Sequence, residues 1–522
     1  MKLATQVCLA ATFITSAIFA QPSVSGLQNN YSYLSPGAPS YGIAQGSIFI
    51  IYGKNMGPTT LVQQSAYPLN KALGGVTIKV TVNGTSTQPI PYYVSAAQIA
   101  AILPSNTPVG TGTITVTYNS KTSTSTAIDV VQSAFGILSL NNAGSGMAAA
   151  FDAKYNYLSP TNAANPGETI LLWGTGIGPA TGDESILQTP TNLSNIPAQV
   201  WIGGKAATVT YHGRSQYPGL DQVNAVVPAG VNGCNVSLVV QNGNFISNFV
   251  SVPVATSGRT CSDANGFSTN DLNNILTKDN VNYGAVTLTR SVGQTTTTDS
   301  ALAEFIHFTK AQLNQVIGDF TQSSYGSCVV SVLADPTASG DLTPFTYLDA
   351  GSISLTGPTS NKTLTKTGNI YTASLGSTFI GTGGAFTFAG TGGKDVGAFT
   401  TNLNIANTVK WSNVDSTPSS IPRAQGYTVT WTGGDPNGTV DISGSSHNND
   451  IYATFFCTEK ASAGTFTIPS YVLLALPVST GGLIPATLTV GVQSVPARFN
   501  ATGLDYAYAT WRVSTTRSVS YK

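Results

Sequence analysis

The runs Ile48 to Tyr52 and Ile170 to Trp173 are apolar at every position, and each stops at a glycine, Gly53 or Gly174. A strand buried in a sandwich reads this way, and the glycine predicts a sharp turn at positive φ. Further along, apolar and polar residues alternate in period two through 352–356, 369–374, 384–388 and 399–405, and the series continues through Trp411, 427–431, 439–443 and 452–457. Short strands bounded by Gly, Pro, Asn and Asp predict an all-β chain of sandwiches rather than a parallel sheet. Helical texture is confined to 262–326. There Ser268-Thr-Asn-Asp271 predicts a capped helix through Leu272 to Leu276, and 299–306 and 310–317 predict two more, with a strand at Gly284 to Arg290 between them.

The two apolar runs belong to a repeat. Gly46-Ser-Ile-Phe-Ile-Ile-Tyr-Gly-Lys-Asn-Met-Gly-Pro58 returns 121 residues on as Gly167-Glu-Thr-Ile-Leu-Leu-Trp-Gly-Thr-Gly-Ile-Gly-Pro179. Val80-Thr-Val-Asn-Gly84 then matches Val200-Trp-Ile-Gly-Gly204, and Gln98-Ile-Ala-Ala-Ile-Leu-Pro104 matches Gln222-Val-Asn-Ala-Val-Val-Pro228. Asn83-Gly84 and Gly203-Gly204 are two-residue hairpin signals, and Pro104 and Pro228 end strands where a ladder donor is lost. The expected organisation is a leader over 1–20, sandwiches over 33–135 and 136–256, and a small mixed α/β connecting region over 262–327. A β-sandwich-like region over 328–406 and an immunoglobulin-like one over 407–522 complete it.

The order of these blocks resembles the IPT/TIG class of immunoglobulin-like domains. More narrowly, Leu73-Gly-Gly-Val76, Tyr92-Tyr-Val-Ser95 and Tyr217-Pro-Gly-Leu-Asp-Gln-Val-Asn224 are similar to recurrent phrases of a family of secreted acidobacterial proteins with tandem modules of this kind. Arg423-Ala-Gln-Gly-Tyr-Thr-Val-Thr-Trp431 and Asp435-Pro-Asn-Gly438 resemble the β-rich C-terminal extension of some members. The resemblance implies tandem immunoglobulin-like sandwiches and an extracellular address, and carries no activity.

Composition narrows the classes. Charged residues are 8% of the chain, against about 25% in ordinary domains, and the 22 basic and 22 acidic residues cancel. No field is left to attract nucleic acid or anionic lipid. Lys2, the apolar stretch to Phe19 and the small Ala20 read as a secretory leader, with Cys8 too early for a lipidation site. The longest later apolar run, Tyr471 to Val478, is too short to span a bilayer. Export makes disulfides the expected state of Cys234, Cys261, Cys328 and Cys457. Three pairings exist, of which Cys234–Cys261 and Cys328–Cys457 are preferred, and scattered His212, His307 and His447 give no metal spacing.

No nucleophile elbow, phosphate loop or zinc helix is present, and no cofactor is implied. Asp435-Pro-Asn-Gly-Thr-Val-Asp441 has oxygen ligands at calcium-loop positions one, three and seven but lacks the glutamate at twelve, so it reads as a tight turn. The tryptophans Trp173, Trp201, Trp411, Trp431 and Trp511 offer ring faces of the kind that stack on sugars, whereas core packing is the expectation for Trp173 and Trp431, which sit in strand patterns. One loop stands out. The second module has four extra residues between its hairpin and its Gln block, near 212–221, which makes Arg214, Tyr217 and Asp221 the candidate ligand contacts. The expectation is therefore a non-catalytic exported protein that contacts extracellular carbohydrate or surface proteins. Two alternatives stand beside it: a polysaccharide hydrolase with its site in the C-terminal half, and a surface-layer or filament subunit.

Overall fold

The computed structural model describes residues 20–262, 268–310, 312, 323–333, 345–368, 370–448, 451–481 and 485–522. The expected leader and the expected helix at 310–317 lie almost wholly outside the described residues. Strand makes up 52% of the chain and helix 4%, so the protein is all-β.

In the first module one sheet runs Ser23–Asn29, Ile48–Lys54, Gln98–Ile102, Ile90–Val94, Val62–Gln63. The facing sheet runs Ile43–Ala44, Thr126–Val131, Gly110–Tyr118, Val76–Val82, Thr85–Thr87. Neighbours are antiparallel except Ile43–Ala44, which lies parallel to Thr126–Val131. This is the A-B-E-D over G-F-C order of an immunoglobulin-like sandwich. Phe49 and Ile51 from one sheet meet Ile78, Val80, Ile114 and Val116 from the other in a dry core.

The second module repeats the plan. Thr169–Thr175 takes the place of Ile48–Lys54 and pairs with Asp221–Val226 as its counterpart pairs with Gln98–Ile102. One difference has a plain cause. Lys205–Arg214 is a single strand, bulged between Val209 and Tyr211, that pairs first with Gln199–Ile202 and then with Asp221–Val226. The first module splits the same stretch into Thr85–Thr87 and Ile90–Val94: Thr87 and Ile90 take the places of the adjacent Ala207 and Thr208, so Gln88 and Pro89 are inserted between them, and Pro89 cannot donate to a ladder.

Both hairpin signals are as expected, with positive φ at Asn83, Gly84, Gly203 and Gly204. Gly53 and Gly174 are a correction. Neither has positive φ; both stay in their strands because another chain segment touches them. A Cβ would lie 2.0 Å from the Ser23 carbonyl oxygen at Gly53 and 2.2 Å from the Phe135 ring at Gly174.

In the C-terminal half, Ser268 caps the helix Thr269–Leu276 through a capping box with Asp271, as the sequence predicts. The expected helix at 299–306 is overturned. Those residues lie in Thr297–Thr309, paired over thirteen positions with Asn280–Val292. Ala301, Ala303 and Phe305 alternate into a core, and that long pairing overrides the helix preference of Ala, Leu and Glu. The hairpin is built into a larger sheet, with Asn280–Val292 parallel to Tyr506–Tyr521 and Thr297–Thr309 against Ile370–Gly376. Ser327–Leu333 pairs far along the chain with Tyr452–Lys460, so the hydrogen-bonded sheet runs on across residues 327 and 406. The sixteen-residue Tyr506–Tyr521 joins two cores. Its Ala507, Ala509 and Trp511 pack with Phe305 and Phe388, while Val519 and Tyr521 pack with Trp411, Trp431 and Phe455.

The four described cysteines form Cys234–Cys261 and Cys328–Cys457. The first ties the end of the second module to the cluster around Tyr283. Trp201 of that module stacks on Tyr471 at 4.8 Å, so the halves share an apolar joint.

Loop length ranks the two bridges. They close 27 and 129 residues, worth about 3.5 and about 5 kcal/mol in the chain-entropy account. Replacing both Cys328 and Cys457 by Ser is expected to cost the more, read by urea unfolding with each pair removed in turn. A larger loss on removing Cys234 and Cys261 contradicts this ranking.

Candidate functional site at the junction of the first two modules

In the first module, Ile90–Val94 turns into Gln98–Ile102 through residues 95–97, whereas the second joins Lys205–Arg214 to Asp221–Val226 through the longer 215–220. The extra residues do not stand free in solvent. Gly219 lies against the first module, where a Cβ on it would come within 2.6 Å of Ile48 Cγ1 and 3.1 Å of Ile102 Cγ1. Thr175 fastens the contact, its Oγ1 donating to the Gly219 carbonyl at 2.5 Å and accepting from Ile48 N at 2.8 Å. Around the rim, Asn29 Nδ2 donates to the carbonyls of Ala134 and Thr175. Ser105 donates to both carboxylate oxygens of Glu184, through N at 2.9 Å and Oγ at 2.6 Å.

Of the three residues expected to meet a ligand, the structure brings two together and encloses them. Arg214 and Asp221 are cross-strand neighbours at the base of the loop, with Nη1 and Oδ1 2.9 Å apart. Their side chains are 1% and 0% exposed. Asp221 Oδ2 also accepts from the backbone N–H of Gly176 at 2.7 Å and Ile177 at 2.8 Å, and Arg214 Nη2 donates to the Gly178 carbonyl. The guanidinium presses on the first module, since a Cβ at Gly46 would fall 2.3 Å from its Nη2. The pair is an internal brace. The repeat carries no signal for this: His212 pairs with Val223 where the first module pairs Val94 with Ile99, so Arg214 lies two residues further on, in a strand end that the first module lacks.

Tyr217, 41% exposed, is the member that reaches solvent. It joins a group of tyrosines that sequence reasoning passed over, because they come from four separate segments. The outer face of the first module's sheet buries Ile48, Leu69, Ile90, Ala100 and Ile102, with Tyr92 and Tyr93 packed over them. Tyr31, Tyr33, Tyr52 and Tyr67 complete the rim. Burial raises the Tyr31 and Tyr52 hydroxyls to about 12, helped by Tyr92 for the first and by Tyr33 and Tyr93 for the second. Burial also raises Tyr67, whose neighbours are Tyr92 and Tyr217, and Tyr93, which accepts from Gln98 Nε2 at 2.6 Å. At neutral pH this is an uncharged surface of ring faces and hydroxyls. It suits contact with a neutral partner carrying both C–H faces and hydroxyl groups.

The tight turn expected at Asp435 forms, with Gly438 N donating to the Asp435 carbonyl and Asn437 N to its Oδ1. Among the described residues no group of three or more His, Cys, Asp or Glu is placed to hold a metal ion. Trp411, Trp431 and Trp511 are buried, whereas Trp173 and Trp201 are half-buried.

No family model matches the chain, and no curated protein matches it. Solved structures similar to parts of it include a Bacteroides thetaiotaomicron protein of unknown function, at 10% identity over 57% of this chain and 60% of that one, with a TM-score of 0.16. An I-band fragment of titin is 9% identical over 72% of this chain and 99% of its own, with a TM-score of 0.11. The Bacteroides ovatus glucan-utilization protein SGBP-B, in complex with a mixed-linkage heptasaccharide, is 11% identical over 86% of this chain and 98% of its own, with a TM-score of 0.13. This chain thus spans less than two thirds of the first of them. TM-scores this low assign it no activity and no ligand.

The brace makes a sharp prediction. Arg214→Val leaves a buried carboxylate alone and is expected to cost about 3–5 kcal/mol. Adding Asp221→Ala, which removes the stranded carboxylate, recovers most of it in urea unfolding at pH 7. Burial raises the Asp221 carboxyl from 3.8 to about 6 despite Arg214, and raises fully buried Asp441, 3.7 Å from Arg512, likewise to about 6. In the folded chain each carboxyl keeps its proton to higher pH than when unfolded, so stability falls as pH rises from about 4 to about 6 and levels above. The double variant loses the Asp221 share of that fall. An unchanged pH profile contradicts the assignment.

Proposed function

We propose that this chain is a non-catalytic exported protein that uses the tyrosine-bearing junction of its first two modules to contact an uncharged extracellular polysaccharide. The observation that carries the reading is the tyrosine surface itself, with Tyr67 and Tyr217, both 41% exposed, at its open side. Tyrosine gives contact area and hydrogen bonding at low entropic cost. The junction is braced from inside, so the rings are presented in a fixed arrangement. The leader signature, the two disulfides and the IPT/TIG-like repeat support an address outside the cell, secreted or on its surface. No described helix is long and apolar enough to cross a membrane. Balanced charge argues against nucleic acid as a partner.

The hydrolase alternative needs two carboxylates facing each other across a cleft. A C-terminal cleft is lined by one carboxylate, Asp435. The buried Asp221, Asp299 and Asp441 belong to ion pairs inside the sheets.

The test is retention of the purified mature chain on insoluble cellulose, chitin and xylan, beside the Tyr67→Ala/Tyr217→Ala variant. Retention on at least one of them is expected, weakened about tenfold in the variant with its melting temperature unchanged. Retention indifferent to the two tyrosines, or none at all, sinks the junction as the contact surface. Self-assembly of the soluble chain without polysaccharide favours the surface-layer reading instead.

A further inference from the structure

A cleft of about 300 Å³ opens in the C-terminal half, far in sequence from the tyrosines. One wall is the end of Phe399–Ile405 with Ala406 and Asn407 beyond it; the other is the end of Ala486–Gln493 with the residues that follow, and the Asp435 turn closes one side. Phe399–Ile405 is the last strand of its sheet, hydrogen-bonded only to Gly384–Gly390 among the described residues. Alternate peptide groups on its other edge are therefore unpaired by any strand. The floor is Trp511 and Val492, both from the core beneath.

The chemistry of this lining selects a ligand. Asn404, Asn407 and Gln493 carry amides that donate and accept, which matches hydroxyl groups that do the same. Asp435 adds an acceptor. Trp511, Val492 and Val495 give an apolar surface beside them, as the C–H face of a sugar ring requires. Among the described residues no Lys or Arg lines the cleft, and this lining does not favour an anion. Its volume lies at the small end of ligand pockets and suits one small molecule rather than a long chain.

We infer that this cleft binds a single uncharged sugar unit, its hydroxyls held by Asn404, Asn407, Gln493 and Asp435 over the Trp511 floor. The inference rests on the reading of the protein as one that contacts neutral carbohydrate, and assigns it a second site independent of the tyrosines. Calorimetric titration of the mature chain with methyl β-glucoside, methyl β-galactoside and N-acetylglucosamine tests it. At least one should bind, with affinity reduced about tenfold or more in Asn404→Leu/Gln493→Leu, a variant at one exposed and one half-buried position that leaves the melting temperature in place. The Tyr67→Ala/Tyr217→Ala chain should bind that sugar as the unmodified chain does. The inference is overturned by no binding of any of the three, or by binding that survives in the cleft variant. Loss of the sugar in the tyrosine variant alone also overturns it, and places the small ligand at the junction. Polysaccharide retention without any small-sugar binding removes the cleft and leaves the junction reading standing.

Discussion

Everything at the front of this molecule follows from a strand that is apolar on both faces. Ile48–Lys54 sends Phe49 and Ile51 into the core of its own sandwich, and Ile48 then lies on the outer face with Ile90, Ala100 and Ile102. An antiparallel sheet normally leaves its outer face to water. Here that face needs a cover, and three pieces of chain supply it: Leu69, the tyrosines, and the lengthened loop of the second module with Gly219 laid on Ile48. The docking of the two modules, the burial of Arg214 with Asp221 and the half-exposed tyrosine rim are consequences of covering that one surface.

How much of this was legible in the sequence depended on the range over which each signal acts. The repeat, the hairpin glycines and the capped helix at Ser268 are local, and each reads correctly from a few residues. Gly53 and Gly174 read correctly as glycines and wrongly as turns, because what forbids a side chain there is Ser23 in one case and Phe135 in the other. Residues 299–306 misled for the opposite reason. Their composition favours a helix, and the decision is made by Asn280–Val292 on one side and Ile370–Gly376 on the other. No local pattern shows that Tyr506–Tyr521 runs through the middle of the large sheet and binds two cores together.

The candidate site divides in the same way. The insertion was visible as a change of offset between two copies, and it lies where the two modules meet. Insertion alone cannot distinguish a loop that reaches outward from one that folds back on a neighbour. The deciding difference is strand length. Arg214 and Asp221 extend their strands beyond those of the first module, and a buried arginine demands a carboxylate, which Asp221 provides. The tyrosines were hidden by their scatter. Residues 31–33, 52, 67, 92–93 and 217 share a face only because the sheet order sets their strands side by side and the second module is docked on them.

With so few charges, where they are placed becomes informative. Asp221 with Arg214 braces the first joint, and Asp299, fully buried, pairs with Arg290 and accepts from Ile380 N inside the large sheet. Asp441 faces Arg512 across the intervening strand Ala486–Gln493 of the same sheet. These three pairs lie where desolvation makes them unforgiving of displacement, while others, such as Lys366–Asp349 and Lys278–Asp505, lie at the surface. With 22 basic and 22 acidic residues the net charge is zero, so little long-range field is left for salt to screen. The contact proposed for the tyrosine surface rests on shape and on matched donors and acceptors, and so on the fixed spacing that the buried Arg214–Asp221 pair enforces.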